Sequence, residues 1–179
     1  MYYHRVFNLI GLAIAAAVFL TSVTSAQAPA GKSAPLIVGT WKLNLEKSGL
    51  RNAPPQLLQV RQYELRDDGY LVGLAITVNG QGNPTFLHFT AKSDGKDYPE
   101  YTNDLLADML ATGKQTNRTY AERVIDDYTT EWIDKENGRV TAQGTKTISR
   151  DGKTMTINGV GPQPQVFDRQ GCRHQSFAC

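Results

Sequence analysis

The sequence predicts a mostly β protein: one antiparallel meander with one short helix, either closed into a barrel or packed as a sandwich. Short segments rich in β-branched and aromatic residues follow one another from about residue 36. Turn sequences such as Asp67-Asp68-Gly69 and Lys135-Glu136-Asn137-Gly138 separate them. The strands come directly one after another without βαβ spacing, which favours antiparallel pairing.

Nine strands are predicted from the turn signals between them. The segment 93–99 contains Gly95 and Pro99 and is predicted as a loop. The predicted strands are 37–43, 57–66, 70–78, 85–91, 119–125, 129–133, 139–149, 154–160 and 165–169.

The segment 70–78 alternates strictly and has two apolar faces of different size. A barrel that encloses a cavity needs one large apolar face inside, so we expect the face of larger residues to point inward, although a packed sandwich has the same alternation. The larger face holds Tyr70, Val72, Leu74, Ile76 and Val78, and the smaller face holds Leu71, Gly73, Ala75 and Thr77.

One segment departs from the strand pattern. Leu105, Leu106, Met109 and Leu110 are spaced to share one helical face, which predicts a short amphipathic helix over 104–112. Asn103 can cap its start and Gly113 can end it, as the residues that flank it. Three roles are open for its apolar face: covering the barrel, closing a cavity mouth as a lid, or docking a partner.

The N-terminus has the pattern of a secretory signal peptide. A basic start, an apolar run from Val6 to Leu20 and the small residues Thr24-Ser25-Ala26 predict cleavage after Ala26. The run is shorter than the roughly 18 residues that a membrane span needs, so we expect no stable membrane insertion. The predicted organisation is therefore a signal peptide over 1–26, a flexible leader over 27–35, a barrel over 36–170 and a tail over 171–179.

Charge and cysteine content narrow the range of partners, disulfides and metal sites that we expect. The formal net charge is +2 and the basic residues are scattered, so nothing indicates a nucleic-acid partner. Both cysteines, Cys172 and Cys179, lie in the tail, and in an oxidising compartment we expect them to form a disulfide. A metal site there would need more ligands than His174 alone, and we expect neither a metal nor a cofactor.

The sequence contains no specific catalytic motif. His88 lies inside a strand without a partner that the sequence can name, and Asp126-Asp127 is typical of a turn. Aromatic side chains in or beside strands favour binding over catalysis, although a solid core would use the same residues. The candidate ligand-binding residues are Tyr63, Leu74, Phe86, His88, Tyr128 and Trp132.

Three sequence blocks resemble exported bacterial proteins described as lipocalin-like. They are Gly39-Thr40-Trp41-Lys42-Leu43-Asn44 with Glu46-Lys47-Ser48, Ala91-Lys92 with Asp94-Gly95-Lys96-Asp97-Tyr98-Pro99, and the block from Ser149 to Thr156. The resemblance implies a lipocalin-like meander barrel in which Trp41 closes the floor and Arg169 packs on its indole. The helix between Tyr98 and Arg118 and the tail after Gln170 depart from the family pattern.

Three classes of function follow from these patterns. The favoured one is an exported, periplasmic or secreted protein that binds a small apolar molecule in the barrel. The alternative is an envelope or interaction protein that docks through the 104–112 helix or the tail and holds no ligand. An enzyme is the least favoured class. It stays among the three because a cavity with one or two polar groups can still act on a ligand.

We predict that the exported protein begins at Gln27, because Ala26 ends the best cleavage site. Mass spectrometry of the N-terminal peptide from the exported fraction measures this directly. A membrane-embedded product that retains Met1 would contradict the export interpretation.

Overall fold

The computed structural model describes residues 35–50 and 58–171. These ranges contain ten strands and one helix. The elements are β1 (Gly39–Leu43), β2 (Leu58–Leu65), β3 (Leu71–Val78), β4 (Pro84–Ala91), β5 (Tyr98–Thr102), α1 (Asn103–Thr112), β6 (Arg118–Val124), β7 (Thr129–Glu136), β8 (Arg139–Ile148), β9 (Thr154–Ile157) and β10 (Gln165–Arg169).

The ten strands form one closed antiparallel barrel. Each strand pairs with its neighbours along the chain, and β1 pairs with both β2 and β10, so the sheet has no free edge. This confirms the predicted single antiparallel meander barrel, lipocalin-like in its up-and-down order, with one short helix.

The prediction of nine strands missed β5. Tyr98 and Pro99, which were assigned to a loop, begin this strand and pair with Tyr120 and Thr119 of β6. Pro99 lacks a backbone donor, and a proline inside a segment argues against a strand unless it lies near the first residue. Pro99 is the second residue of β5, so the strand accommodates it.

The helix was predicted correctly, but its N-terminal cap was not. Thr102 is the N-cap and makes no side-chain cap hydrogen bond, while Asn103 is the first helical residue. The Asn103 side chain instead accepts a hydrogen bond from the Phe86 amide at 2.6 Å and so ties the helix start to β4. Gly113 ends the helix in the left-handed conformation, as predicted.

The predicted orientation of β3 is wrong. Leu71, Gly73 and Ala75 are buried, whereas Ile76 is 39% exposed. The reason is the neighbouring strand: a Cβ at Gly73 would lie 2.3 Å from the Phe89 ring, so this ring already fills the space inside β3. The smaller face of β3 therefore points inward because β4 supplies the bulk.

Trp41 and Arg169 close the barrel where its first and last strands meet. They are directly opposite on β1 and β10, and the guanidinium carbon lies 4.1 Å from the indole ring centre. Trp41 is fully buried and donates from Nε1 to the Ile37 carbonyl at 2.8 Å. A Cβ at Gly39, which has a φ of +134°, would lie 2.7 Å from the guanidinium, so glycine leaves room for the stack.

The guanidinium also joins three chain segments. Arg169 donates to the Gly152 carbonyl at 2.6 Å, to the Val38 carbonyl at 2.7 Å and to the Leu36 carbonyl. The planar fork of arginine suits this geometry, whereas lysine has a single ammonium. The stack implied by the family resemblance is thus confirmed, and it anchors the segment before β1.

We predict that Arg169→Met lowers the free energy of unfolding by about 2–4 kcal/mol, because it removes the stack and leaves three carbonyls without their charged donor. Urea denaturation measures the change. Arg139→Met, at an exposed position of β8, is the control and should change stability by less than about 0.5 kcal/mol. Equal stability of the two variants would show that Arg169 does not hold the closure.

Candidate functional site

The inner face of the barrel carries charged residues among its aromatic ones. In β6 and β7, alternate residues point inward, and the register places Tyr120 opposite Asp134 and Glu122 opposite Trp132. Lys146 of β8 is also inward and only 4% exposed. Charged residues are almost never fully buried unless they are paired, so each of these groups needs a partner.

Lys146 forms a buried ion pair with Glu122. The Nζ–Oε2 distance is 2.6 Å, the ammonium also donates to the Tyr120 hydroxyl, and that hydroxyl donates to Glu122. Burial would raise the pKa of Glu122, but the Lys146 charge and hydrogen bonds from Lys146, Tyr120 and Ser93 outweigh it and hold the pKa below its usual value. Burial and the Glu122 charge raise the pKa of the Tyr120 phenol.

Three aromatic rings surround the Lys146 ammonium. Its Nζ lies 4.9 Å from the Tyr120 ring centre, 5.2 Å from that of Tyr63 and 5.5 Å from that of Phe89. Phe89 and Tyr120 stack on each other with their centres 3.8 Å apart. The ring faces attract the cation and shield it from water, so they stabilise the buried charge.

A second charged group lies beside this pair. Glu100 of β5 is 0% exposed, and its Oε2 accepts from Arg118 Nε at 2.9 Å. Burial and the charge of Asp134 raise the pKa of Glu100 to about 7, against the opposing effect of Arg118. Burial likewise raises the pKa of Asp134, although Arg118, Lys146 and Arg61 oppose it.

Several of these groups, among them Glu100, Asp134 and Lys146, line a cavity of about 340 Å³ inside the barrel. This volume is at the lower end of the roughly 300–1,000 Å³ that small-molecule sites occupy. Apolar and charged side chains share its wall, which consists of Arg61, Leu87, Phe89, Glu100, Tyr120, Trp132, Asp134, Thr141, Ala142, Lys146, Ile157, Gly159, Val160 and Gly161.

Four of the lining residues carry a buried polar atom that has no hydrogen-bond partner among the described protein groups. They are Arg61 Nε, Glu100 Oε1, Trp132 Nε1 and Asp134 Oδ1. Buried polar atoms in folded proteins are nearly always paired, so these four atoms among the lining residues leave room for a partner in the cavity, either water or a ligand. Two are donors and two are carboxylate oxygens, so that partner needs both kinds of hydrogen-bonding group.

Two of the predicted ligand-binding residues lie in the interior. Trp132 lines the cavity, and Tyr63 packs beside Lys146. Leu74, Phe86 and His88 lie on the outer face of the sheet. There Leu74 pairs with His88, and Phe86 pairs with Ile76.

Tyr128 lies apart from both groups. It precedes β7, is half-buried, and has the Arg150 guanidinium carbon 5.5 Å from its ring centre. The structure therefore does not bring the six candidates together into one site.

Sequence analysis missed Arg61, Glu100, Asp134 and Lys146. A usable signal was present in β7, where Trp132 and Asp134 are two residues apart and so share a face. A face that carries tryptophan is a candidate interior face, so the carboxylate beside it is a candidate buried charge. The expected lining was apolar, so these charged positions were not among the candidates.

Several predictions fall outside the described residues. These are the signal peptide 1–26, almost all of the leader 27–35, and Cys172 and Cys179 with the proposed disulfide. Within the described ranges, no helix has the length and apolar character required to cross a membrane. No cluster of three or more His, Cys, Asp or Glu side chains suited to a metal ion occurs in 35–50 or 58–171.

Comparison with known proteins identifies no family. The sequence matches no protein-family model and no curated protein. Among solved structures, the crystal structure of the wild-type fluorescent protein UnaG is similar, with 14% sequence identity and a TM-score of 0.43, over 74% of this chain and 96% of that chain. The fold assignment rests on the strand pairing of the chain itself.

We predict that Lys146→Met lowers the free energy of unfolding by about 3–5 kcal/mol, because it leaves the Glu122 carboxylate buried without its counter-charge. Adding Glu122→Gln should recover much of the loss, since the unpaired charge is then gone. Urea denaturation measures both variants.

The control is the outer ion pair of Arg123 and Glu131, whose side chains are 63% and 40% exposed. Arg123→Met should cost at most about 1 kcal/mol. If Lys146→Met costs no more than this control, the buried pair does not organise the interior.

Proposed function

We propose that this protein binds a small molecule in the cavity inside its barrel. The observation that carries the proposal is the combination of a 340 Å³ cavity with four unpartnered polar atoms on its wall. A few convergent polar groups in an otherwise apolar pocket are the usual features of a small-molecule site.

The lining indicates a ligand with an apolar body and a polar end. Leu87, Phe89, Ile157 and Val160 provide apolar surface, and Glu100 and the residues near it provide the polar part. A purely apolar molecule, as expected from the sequence, would leave buried donors and acceptors without partners, and each such group costs about 1–3 kcal/mol. The ligand that this wall accommodates best is therefore amphiphilic and small.

We further propose that the protein works outside the cytoplasm, in the periplasm or secreted. The support is the signal-peptide pattern of residues 1–26. A small barrel with a ligand cavity suits a carrier or sensor of small molecules in such a compartment.

A docking function through α1 is the second candidate. None of the helix residues is buried, and Leu110 is 75% exposed. An exposed apolar residue on a short helix favours contact with another surface, although a single such residue is common on monomeric proteins.

We predict that an environment-sensitive anilinonaphthalene dye enters the native barrel and binds with micromolar affinity. About 300 Å² of buried apolar surface gives some 7 kcal/mol before the costs of association. Ala142→Leu, whose added carbons extend into the cavity, should weaken dye binding at least about tenfold. Fluorescence titration measures the affinity.

Gln143→Leu is the matched control, because Gln143 is the next residue of β8 and is exposed. It should leave dye binding unchanged. If no dye enters the wild-type protein and a panel of amphiphilic and apolar compounds gives no signal, the binding proposal fails. The exposed helix would then be the leading functional surface.

A further inference from the structure

Glu100 lines the cavity and has a buried carboxylate oxygen without a hydrogen-bond partner among the described residues. The side chain is fully buried, its Oε2 is bound to Arg118, and its Oε1 has no hydrogen-bond partner among the described residues. Asp134, from the opposite side of β6, lines the same cavity and also has an unpartnered oxygen, Oδ1. Each of the two carboxylates that line this cavity can therefore accept a further hydrogen bond.

The basic residues nearby do not use this capacity. The Lys146 ammonium is committed to Glu122 and Tyr120. The Arg61 guanidinium lies over the Phe167 ring, 5.4 Å from its centre, and forms no ion pair within 4.0 Å in the described part of the chain. Among the described residues Arg118 is the ion-pair partner of Glu100, and the Arg61 charge adds a weaker opposing effect on the Glu100 pKa.

The electrostatic balance at the two carboxylates favours an added positive charge. Burial is the main cause that raises the pKa of both Glu100 and Asp134, and the Asp134 charge adds to it at Glu100, while Arg118 and Arg61 oppose it at both. An ammonium group that donates to the two unpartnered oxygens would stabilise the ionised carboxylates, because charge-assisted hydrogen bonds are stronger than neutral ones. The faces of Phe89, Tyr120 and Trp132 on the cavity wall attract cations as well.

From this geometry we propose that the ligand is a small organic cation, a protonated amine on an apolar body, whose ammonium group donates to Glu100 Oε1 and Asp134 Oδ1. The proposal rests on the small-molecule binding proposed above and names the class of ligand. The free donors Trp132 Nε1 and Arg61 Nε then bind an oxygen atom elsewhere on the same molecule. Glu100 and Asp134 are the residues that determine specificity.

The test compares three probes of nearly equal size: phenethylamine, 2-phenylethanol and phenylacetate. Each is used to displace the anilinonaphthalene dye from the wild-type protein near neutral pH. Since a hydrogen bond to a charged group contributes more than a neutral one, the amine should bind at least about tenfold more tightly than the alcohol. Phenylacetate should bind most weakly.

Variants assign the effect to the carboxylates. Glu100→Gln and, independently, Asp134→Asn should each reduce amine affinity about tenfold and change alcohol affinity much less, because the neutral hydroxyl loses no charge-assisted hydrogen bond. Glu131→Gln, on the outer face of β7, is the control and should change neither. Thermal unfolding checks that each variant is folded, and the wild-type comparison of the three probes needs no variant at all.

The pH dependence provides a further measurement. The titratable groups around Glu100 are Asp134 on β7, Arg118 and Tyr120 on β6, Arg61 on β2 and Lys146 on β8. The residues that β4 packs into the interior here, Leu87, Phe89 and Ala91, do not titrate. Glu100 loses its proton near pH 7, whereas an alkylammonium stays charged, like lysine with its pKa of about 10.4. Amine affinity should therefore rise several-fold from about pH 6 to about pH 8, and Glu100→Gln should remove most of the rise.

The outcomes separate this proposal from the proposed function. Equal affinity for amine and alcohol, or tighter binding of phenylacetate, overturns the cation proposal and leaves small-molecule binding in place. Tighter phenylacetate binding would point to an anion held by Arg61. If the dye itself does not enter the native barrel, the proposed function fails before the class of ligand is tested.

Discussion

The ion pair between Lys146 and Glu122 is the constraint on which the rest of the barrel interior depends. Both side chains are almost fully buried, so neither charge tolerates loss of the other. Tyr120 and Ser93 donate to the carboxylate, and aromatic rings enclose the ammonium. Because both hydrogen bonds that the Lys146 ammonium makes with the described residues go to Glu122 and Tyr120, this ammonium acts on Asp134 through its charge alone.

The barrel divides its interior between an apolar core and this charged group. The largest apolar side chains that are fully buried, Trp41, Phe167, Met155 and Ile157, come from β1, β9 and β10, and Arg169 holds those strands together. Glu100, Glu122, Asp134 and Lys146 come from β5 to β8. The apolar core supplies stability and continues into the cavity wall, because Phe89, Tyr120, Trp132 and Ile157 belong to both. Functional sites commonly depart from good packing in this way.

The sequence predicted the fold well because turn signals and strand alternation are local. Asp67-Asp68-Gly69 and Gly113 act through their own backbone conformation, so no tertiary information was needed. The inward face of β3 could not be predicted, because both of its faces are apolar and Phe89 on the neighbouring strand decides between them. The cavity was missed for a related reason: its charged residues become neighbours only when β2, β5, β7 and β8 come together.

The most direct test of this account uses the two indole N–H groups, since the sequence contains only two tryptophans. Trp41 donates to Ile37, whereas the Trp132 indole, in the cavity lining, has no hydrogen-bond partner in the part of the chain that the structure describes. The indole resonances of ¹⁵N-labelled protein are followed by NMR while phenethylamine is added. Phenethylamine has no acceptor for the indole N–H, so the account predicts that its aromatic ring, bound beside the cavity wall, shifts the Trp132 resonance with saturation and that the Trp41 resonance stays in place. A Trp132 resonance that does not move while the compound binds elsewhere would contradict it.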